Sequence, residues 1–401
     1  MKPSVYFPGL NGIRFLAALA VMICHMEMTK HWFHEPNIYT VSFVGGVLGD
    51  IGVILFFVLS GFLITYLLLQ EQKDAGTIRI KQFYIRRILR IWPLYYLVVL
   101  LGLFVLPLFN FFDVPGYSGQ LQHHFLGKAF FFLSFLPNIP YAIWEHVPFA
   151  EQSWSVGVEE QYYLIWPVLM LFAVRARKTI HVMVGVILFY MFAKGLIMWW
   201  YADYPGGVVY NHLYQFWQHF NIDCMAIGGI AAYLLFYKKE PVLRFLFDPK
   251  VQVATYLILA YLTLRGIDVP FIGFEVYAVP FAVVILNLAA NKDSLFQLEH
   301  PWLNYLGKIS YGLYMFHNLV LVVVLKVIHN YLKLDFHSAT TEILYYTTSV
   351  FLTIVVASVS YHFFEKRFLR AKLRYSTVVS GDNVPVGSAA ENSLAAVPVA
   401  K

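Results

Sequence analysis

An arginine and a histidine lie within one apolar stretch near the start of the chain, "LNGIRFLAALAVMICH", Leu10 to His25. Arg14 and His25 are eleven positions apart, which at about 100° per residue is roughly 1100°, only about 20° beyond three turns of an α-helix. Both side chains therefore share one helix face, about 16 Å apart along the axis. Because ionisable groups in an apolar span usually face a protein interior or a water-filled cavity, the spacing favours a functional cavity. The alternative is that Arg14 extends to the membrane surface and His25 ends the helix.

A second segment, "FYIRRILRIWPLYY", places three arginines at the start of another apolar run. Arg86 and Arg90 are four residues apart and Arg87 and Arg90 are three apart, so they are neighbours on a helix surface. Guanidinium groups bind phosphates bidentately, and a helix N-terminus favours anions. The alternative is that these arginines only anchor the helix at the cytoplasmic membrane surface.

Two further segments carry polar side chains at helical spacing. In "EQSWSVGVEEQYYLIWP", Glu159 and the glutamate after it enter the first turns of a helix, where the helix dipole stabilises negative charge. The functional alternative is a carboxylate that orients an imidazole or receives a proton. In "GKISYGLYMFHNLV", the residues Ser310, Tyr314 and His317 form one stripe, bordered by Tyr311. Such a stripe either binds neighbouring helices or lines a polar pathway.

The composition indicates that these segments belong to a polytopic membrane protein. Of the 401 residues, 59% are hydrophobic and only 13% are charged, whereas soluble domains carry about 25% charged residues. We therefore expect an all-α bundle of about ten transmembrane helices, each of roughly 20 residues. The expected spans are Gly9–Met28, Val44–Leu69, Tyr84–Pro107, Gln161–Val174, Ile180–Tyr201, Phe216–Tyr237, Val251–Leu264, Phe271–Ala290, Trp302–Ile328 and Ile343–Phe363.

Charge patterning predicts the orientation and the domain boundaries. Lysines and arginines collect in alternate loops, which by the positive-inside rule are cytoplasmic, and an even number of spans places both termini there. We expect a transmembrane domain over residues 1–370 and a disordered cytoplasmic tail over 371–401, because the tail is small, polar and poor in aromatic residues. The two cysteines and the scattered histidines match no disulfide or metal-ligand pattern, so we expect no metal, and the modest charge predicts no nucleic-acid partner.

These motifs, taken in order, resemble acyltransferase family 3, the integral-membrane O-acyltransferases of bacterial envelope glycans and some small molecules. The resemblance runs from about Leu10 to Phe368. The motifs that carry it are Arg14 and His25 in the first helix, "GVILFFVLSGFLIT" in the second, Arg87 and Arg90 as R-x-x-R, Trp154, Ser155 and Glu159 as W-S-x-x-x-E, Ser310, Tyr311, Tyr314 and His317, and finally Glu365. Asn11 and Ile54 stand where many members have aspartate. Some members carry a further hydrolase-like domain, for which we expect no room in this sequence.

The resemblance implies an acyl-CoA donor, usually acetyl-CoA, on the cytoplasmic side of the bacterial inner membrane, and an acceptor hydroxyl on the other side. It implies that Arg86, Arg87 and Arg90 hold the CoA phosphates while the pantetheine arm passes Arg14. His25 then acts as general base or as nucleophile. We expect Glu159 to orient or charge-balance His25. The expected supporting residues are Asn11, Trp154, Ser155, Ser310, Tyr311, Tyr314, His317 and Glu365.

The acceptor that we expect is an envelope polysaccharide such as O-antigen, with a small molecule as an alternative. Intramembrane Arg, His and Glu would also fit a proton-coupled transporter or a flippase of a lipid-linked glycan. A third alternative is an acyl-CoA sensor without turnover. Release of the CoA thiol from acetyl-CoA in the presence of an acceptor separates an enzyme from the other two.

Overall fold

The protein is a bundle of α-helices in a computed structural model, which describes residues 4–40, 45, 47–144, 147–203, 207–269 and 271–380. The helices are α1 (Leu10–Trp32), α2 (Leu48–Ala75), α3 (Ile80–Leu100), α4 (Phe125–Leu133), α5 (Asn138–Ile143), α6 (Ser153–Arg175), α7 (Thr179–Asp203), α8 (Val208–Phe220), α9 (Ile222–Phe236), α10 (Glu240–Phe247), α11 (Pro249–Leu264), α12 (Ala278–Ala290), α13 (Pro301–Lys308), α14 (Ser310–Lys326), α15 (Ala339–Ser360) and α16 (Lys366–Lys372). The strands are β1 (Ser4–Val5) and β2 (Val379–Ser380).

The all-α membrane bundle expected from composition is confirmed. In the described part of the chain, seven helices are long and apolar enough to cross a membrane. Each of the ten expected spans overlaps at least one helix. Two of them are divided: the segment 216–237 at Asn221, whose φ is 23°, and the segment 302–328 at Ile309. The number of spans and the side on which the termini lie stay predictions.

Helix α2 lies at the centre of the bundle, against α1, α6 and α9. It runs parallel to α6, since Ser60 bonds Glu159, and further along both helices Thr65 accepts a hydrogen bond from Trp166. As a result, the basic start of α3, the basic end of α6, and α16, which packs against α3, lie at one end of the bundle, called the basic side below.

Helix α2 approaches α9 closely at two glycines. A Cβ atom added to Gly61 would lie 1.8 Å from the carbonyl oxygen of Met225, and one added to Gly228 would lie 1.9 Å from that of Val58. Small residues of this kind allow helix backbones in a membrane to approach closely and to gain van der Waals contact. This contact fixes α2, which in turn carries several of the residues that line the cavities described below.

The two short strands bring the chain ends together on the basic side. They pair in parallel, with Ser4 opposite Val379, and Thr377 donates a 2.8 Å hydrogen bond to Glu71. The described residues 371–380 fall within the predicted tail, and the domain boundary at 370 stays a prediction. The rest of the predicted tail, residues 381–401, lies outside the described residues.

Because of the α2–α9 contact, adding even a methyl group at Gly228 should lower the stability of the folded protein. We expect Gly228→Ala to lower the midpoint of thermal unfolding in detergent by several degrees, because overpacking of this kind costs about 1–3 kcal/mol. Size-exclusion chromatography after heating measures this loss. The control is Gly185→Ala on α7, where an added Cβ meets nothing within 4 Å and the midpoint should stay unchanged or rise. Equal midpoints for the two variants would contradict this account of the packing.

Candidate active site

His25 on α1 and His317 on α14 are in direct contact. His25 Nδ1 lies 2.7 Å from His317 Nε2, and the two rings stack with centroids 4.9 Å apart. His25 Nδ1 also lies 3.0 Å from Asn318 Oδ1. His317 is fully buried, whereas His25 is half-buried and keeps accessible surface. The structure therefore joins two of the residues singled out in the sequence, 292 positions apart.

The hydrogen bonds fix the tautomer of both imidazoles. His317 Nδ1 lies 2.6 Å from the carbonyl oxygen of Tyr314, which can only accept, so this nitrogen carries the proton and Nε2 presents a lone pair. His25 Nδ1 thus faces two acceptors, His317 Nε2 and Asn318 Oδ1, and must carry a proton itself. Neutral His25 is left with an unprotonated Nε2, which has no hydrogen-bond partner among the described residues. That nitrogen can accept a proton or attack an electrophile.

Two amides that the sequence interpretation missed hold this arrangement. Asn318 Nδ2 donates to Gln152 Oε1 at 2.9 Å, which turns Asn318 Oδ1 toward His25. Gln152 Nε2 in turn donates to the carbonyl oxygens of Met315 and Phe149, at 2.7 and 3.0 Å. The available signal was an asparagine inside the apolar run that follows His317, since a buried amide needs partners.

Glu159 does not contact His25, and the expectation that it orients this imidazole is wrong. Its carboxylate accepts hydrogen bonds from Ser60 at 2.7 Å and from Tyr163 at 2.9 Å. The positive charges that act on it are those of Arg87 and Arg14. The reason is the direction of α6: Glu159 lies a full turn closer to the basic side than Ser155, which bonds Tyr314 next to His317. Glu159 therefore balances the charge of arginines.

Two adjoining cavities lead from the basic side into the bundle. The outer one of these, called the basic cavity, measures about 1260 Å³ counted to its open mouth, and the inner cavity about 770 Å³. Both are lined by Arg14, Ser60, Arg87, Arg90 and Tyr163, which mark their junction. The inner cavity continues to Ser155, Glu159, Ser310, Tyr311 and Tyr314. Tyr314 is in ring contact with His317, at 5.8 Å between centroids, so one layer of side chains separates this cavity from His25.

The arginines that line the basic cavity differ in their surroundings. Arg86 is paired with Glu71 at 3.0 Å and donates to the carbonyl oxygen of Tyr375, so it joins α3 to α2 and to the C-terminal segment. Arg87 lies between the rings of Phe83 and Tyr163, at 5.4 and 5.2 Å. The buried Nε of Arg87 has no hydrogen-bond partner in the described residues. Of the two, Arg87 is the better placed to bind an anion.

Of the other expected site residues, Asn11 and Tyr311 line the cavities, whereas Trp154 and Glu365 line neither. Asn11 accepts a 3.1 Å hydrogen bond from Arg14 and lines the basic cavity, while Tyr311 lines the inner cavity and donates to the carbonyl oxygen of Ile91. Trp154 lies apart, stacked on Tyr141 at 5.3 Å. Glu365 accepts from Ser360 and interacts electrostatically with Arg90, so its contacts are with residues on the basic side.

The model of a family described as an acyltransferase domain matches residues 7–362. A Staphylococcus aureus strain COL protein, provisionally named an O-acetyltransferase, is 26% identical over 394 residues, covering 93% of this chain and 59% of the relative. The peptidoglycan O-acetyltransferase OatA of Listeria monocytogenes is 26% identical over 375 residues, covering 90% of this chain and 55% of that protein. The chain thus spans less than two thirds of these relatives. No solved structure matches it.

The hydrogen-bond network predicts the protonation pattern of the two histidines. In protein labelled with ¹⁵N at histidine, we expect the Nδ1 resonances of His25 and His317 to be those of protonated nitrogens, and the Nε2 of His25 to be that of an unprotonated one. Variants His25→Gln and His317→Gln assign the signals. A His25 tautomer protonated at Nε2 at neutral pH would contradict the network.

Proposed function

The chain belongs to the family defined by this acyltransferase domain, and on that basis we propose that it is an O-acyltransferase that moves an acetyl group from acetyl-CoA to a hydroxyl of an envelope polysaccharide. The observation that carries the proposal is the hydrogen-bond network that leaves Nε2 of His25 unprotonated, one layer of side chains beyond an arginine-lined path. The apolar helices and the family place the chain among multi-pass membrane proteins. We propose the bacterial inner membrane as its location.

The donor enters from the basic side in this proposal. The basic cavity is open at this side, and Arg14, Arg87, Arg90 and Lys372 give it positive charge. Guanidinium groups suit the phosphates at one end of CoA. Arg86, which Glu71 neutralises, positions α3 instead of binding phosphate. The pantetheine arm then extends through the junction into the inner cavity, toward Ser310 and Tyr314.

The transfer step uses His25 as general base. Its Nε2 takes the proton of the acceptor hydroxyl while the hydroxyl oxygen attacks the thioester carbonyl carbon. The carbon–sulfur bond breaks, the CoA thiolate leaves, and it takes the proton from the imidazolium, so that an ester and CoA thiol result. His317 Nε2 and Asn318 Oδ1 accept from Nδ1 and stabilise the imidazolium. Direct attack of Nε2 on the thioester, through an acyl-histidine, uses the same geometry.

The acceptor is a polysaccharide hydroxyl on the side opposite the donor. A related protein carries the name of a peptidoglycan O-acetyltransferase, which supports a glycan acceptor here. Our proposal is O-antigen or another envelope polysaccharide. Mass spectrometry of envelope glycans from wild-type, deletion and His25→Ala strains tests it, because an acetyl increment should disappear from one glycan fraction in both mutant strains.

Replacing the base should abolish catalysis without unfolding the chain. We expect His25→Gln to reduce CoA-thiol release from acetyl-CoA, in the presence of acceptor, by a factor of about 100 or more, since a general base contributes roughly 10²–10⁴. His337→Gln is the matched control, because this loop histidine is 79% exposed at its side chain. Wild-type turnover in folded, membrane-inserted His25→Gln would refute the mechanism, and no thiol release by the wild type with any glycan acceptor would favour a transporter or a sensor.

Removing an arginine from the cavity junction should weaken donor binding. We expect Arg87→Ala to raise the KM for acetyl-CoA about tenfold or more, and Arg87→Lys to restore it only in part, because lysine lacks the planar bidentate fork. Steady-state kinetics with varied acetyl-CoA measures the effect. Arg79→Ala provides the control, since Arg79 is exposed at the start of α3 and lines neither cavity. An unchanged KM in Arg87→Ala would exclude this donor path.

A further inference from the structure

A third pocket opens on the side of the bundle opposite the basic side. It is lined by Tyr117 and Gln120 from the connection between α3 and α4, by His124 before α4, by Trp144 after α5 and by His212 of α8. Counted to its open mouth, it measures about 1120 Å³. None of these residues takes part in the mechanism proposed above. The wall of this pocket therefore contains both aromatic rings and side chains that can form hydrogen bonds.

The aromatic part of this wall is closely packed. The imidazole of His124 and the indole of Trp144 lie almost parallel, 8° apart in plane and 5.0 Å between centroids. A Cβ atom added to Gly127 on α4 would lie 2.4 Å from Trp144 Cη2, so the backbone of this helix presses against the indole. A ring held in this way loses little conformational freedom when a ligand binds against it.

Polar groups beside the rings can bind hydroxyls. The Gln120 side-chain oxygen is buried and has no hydrogen-bond partner within the described residues. Burial and the negative charge of Glu151 raise the pKa of Tyr117 above its ordinary value, so its hydroxyl stays protonated and can donate. A pyranose ring has an apolar face of C–H groups and a rim of hydroxyls, which matches such a wall.

The pocket lies on the same end of α1 as His25. The ring of Tyr117 packs on Trp32, the last residue of α1, with centroids 4.5 Å apart. Trp32 follows His25 by seven residues, or about 10 Å along the helix axis. The carboxylate of Glu151 acts electrostatically on both Tyr117 and His25, and therefore lies near both.

We propose that this third pocket binds one sugar ring of the acceptor, with the ring stacked on Trp144. A hydroxyl of a neighbouring sugar ring then reaches His25. The inference rests on the proposed function and narrows it, because Trp32, which packs on the pocket residue Tyr117, lies about 10 Å beyond His25 along α1, and this offset selects an oligosaccharide over a single sugar. The donor and the acceptor then approach the imidazole from opposite sides of the membrane.

The test measures saccharide binding and turnover separately, on the full chain in lipid nanodiscs. The probes are chitotriose and maltotriose, with N-acetylglucosamine as the single-ring comparison. Calorimetric titration without acetyl-CoA gives Kd, and CoA-thiol release gives KM for each substrate. We expect Trp144→Ala to weaken binding of at least one trisaccharide about tenfold, as loss of an aromatic anchor does, and Trp144→Phe to retain most of it. KM for acetyl-CoA should not change.

Trp302→Ala is the control, because Trp302 is 72% exposed on α13 and lies outside all three cavities. The pocket proposal is overturned if neither trisaccharide binds the wild type, if Trp144→Ala binds as tightly as Trp302→Ala, or if N-acetylglucosamine supports thiol release as well as the trisaccharides do. Trisaccharide binding that depends on Trp144, without any thiol release, would support the pocket and refute the proposed function. Thiol release with unaltered kinetics in Trp144→Ala would support the proposed function and refute the pocket.

Discussion

The hydrogen bond between His25 and His317 is the contact on which the rest of the site depends. An imidazole in a membrane-spanning helix needs a partner, because an unsatisfied polar group in hydrocarbon costs several kcal/mol. His317 provides an acceptor only because its other nitrogen donates to the carbonyl oxygen of Tyr314. Asn318 adds a second acceptor, held by Gln152. The need to satisfy buried polar atoms thus joins α1 to α14, and the same bonds leave one basic nitrogen on His25.

Charge in the cavities follows from a second constraint, the cost of burying arginines. Arg14 and Arg87 face Glu159, whose carboxylate is held by Ser60 and Tyr163, and Arg86 is paired with Glu71. Because an unpaired charge in a low-dielectric interior is very unfavourable, each glutamate compensates part of the guanidinium charge. A positive field remains at the cavity junction, which suits a polyanionic donor and explains why Glu159 belongs with the arginines.

Periodicity could predict the elements of the site but only part of its contacts. The shared face of Arg14 and His25 and the stripe of Ser310, Tyr314 and His317 are local properties of single helices, so the sequence predicts them well. The bond from Asn318 to Gln152 joins positions 166 residues apart, and no local pattern specifies it. The erroneous pairing of Glu159 with His25 has the same origin. Which carboxylate meets which imidazole depends on the relative level of α1 and α6, which packing against α2 sets.

The side chains between the inner cavity and His25 give the site a closed interior. Ser155 and Tyr314 are bonded at 2.7 Å, and Tyr314 also donates to the carbonyl oxygen of Gln152. His317 stacks on His25 and is in tilted ring contact with Tyr314. A water-filled path through this layer would connect the two membrane faces and allow protons to pass, as chains of ionisable groups do in pumps. Hydrogen bonds that are satisfied within the protein leave no requirement for such water. An enzyme that receives substrates from both sides of a membrane needs a barrier of this kind at the point where they meet.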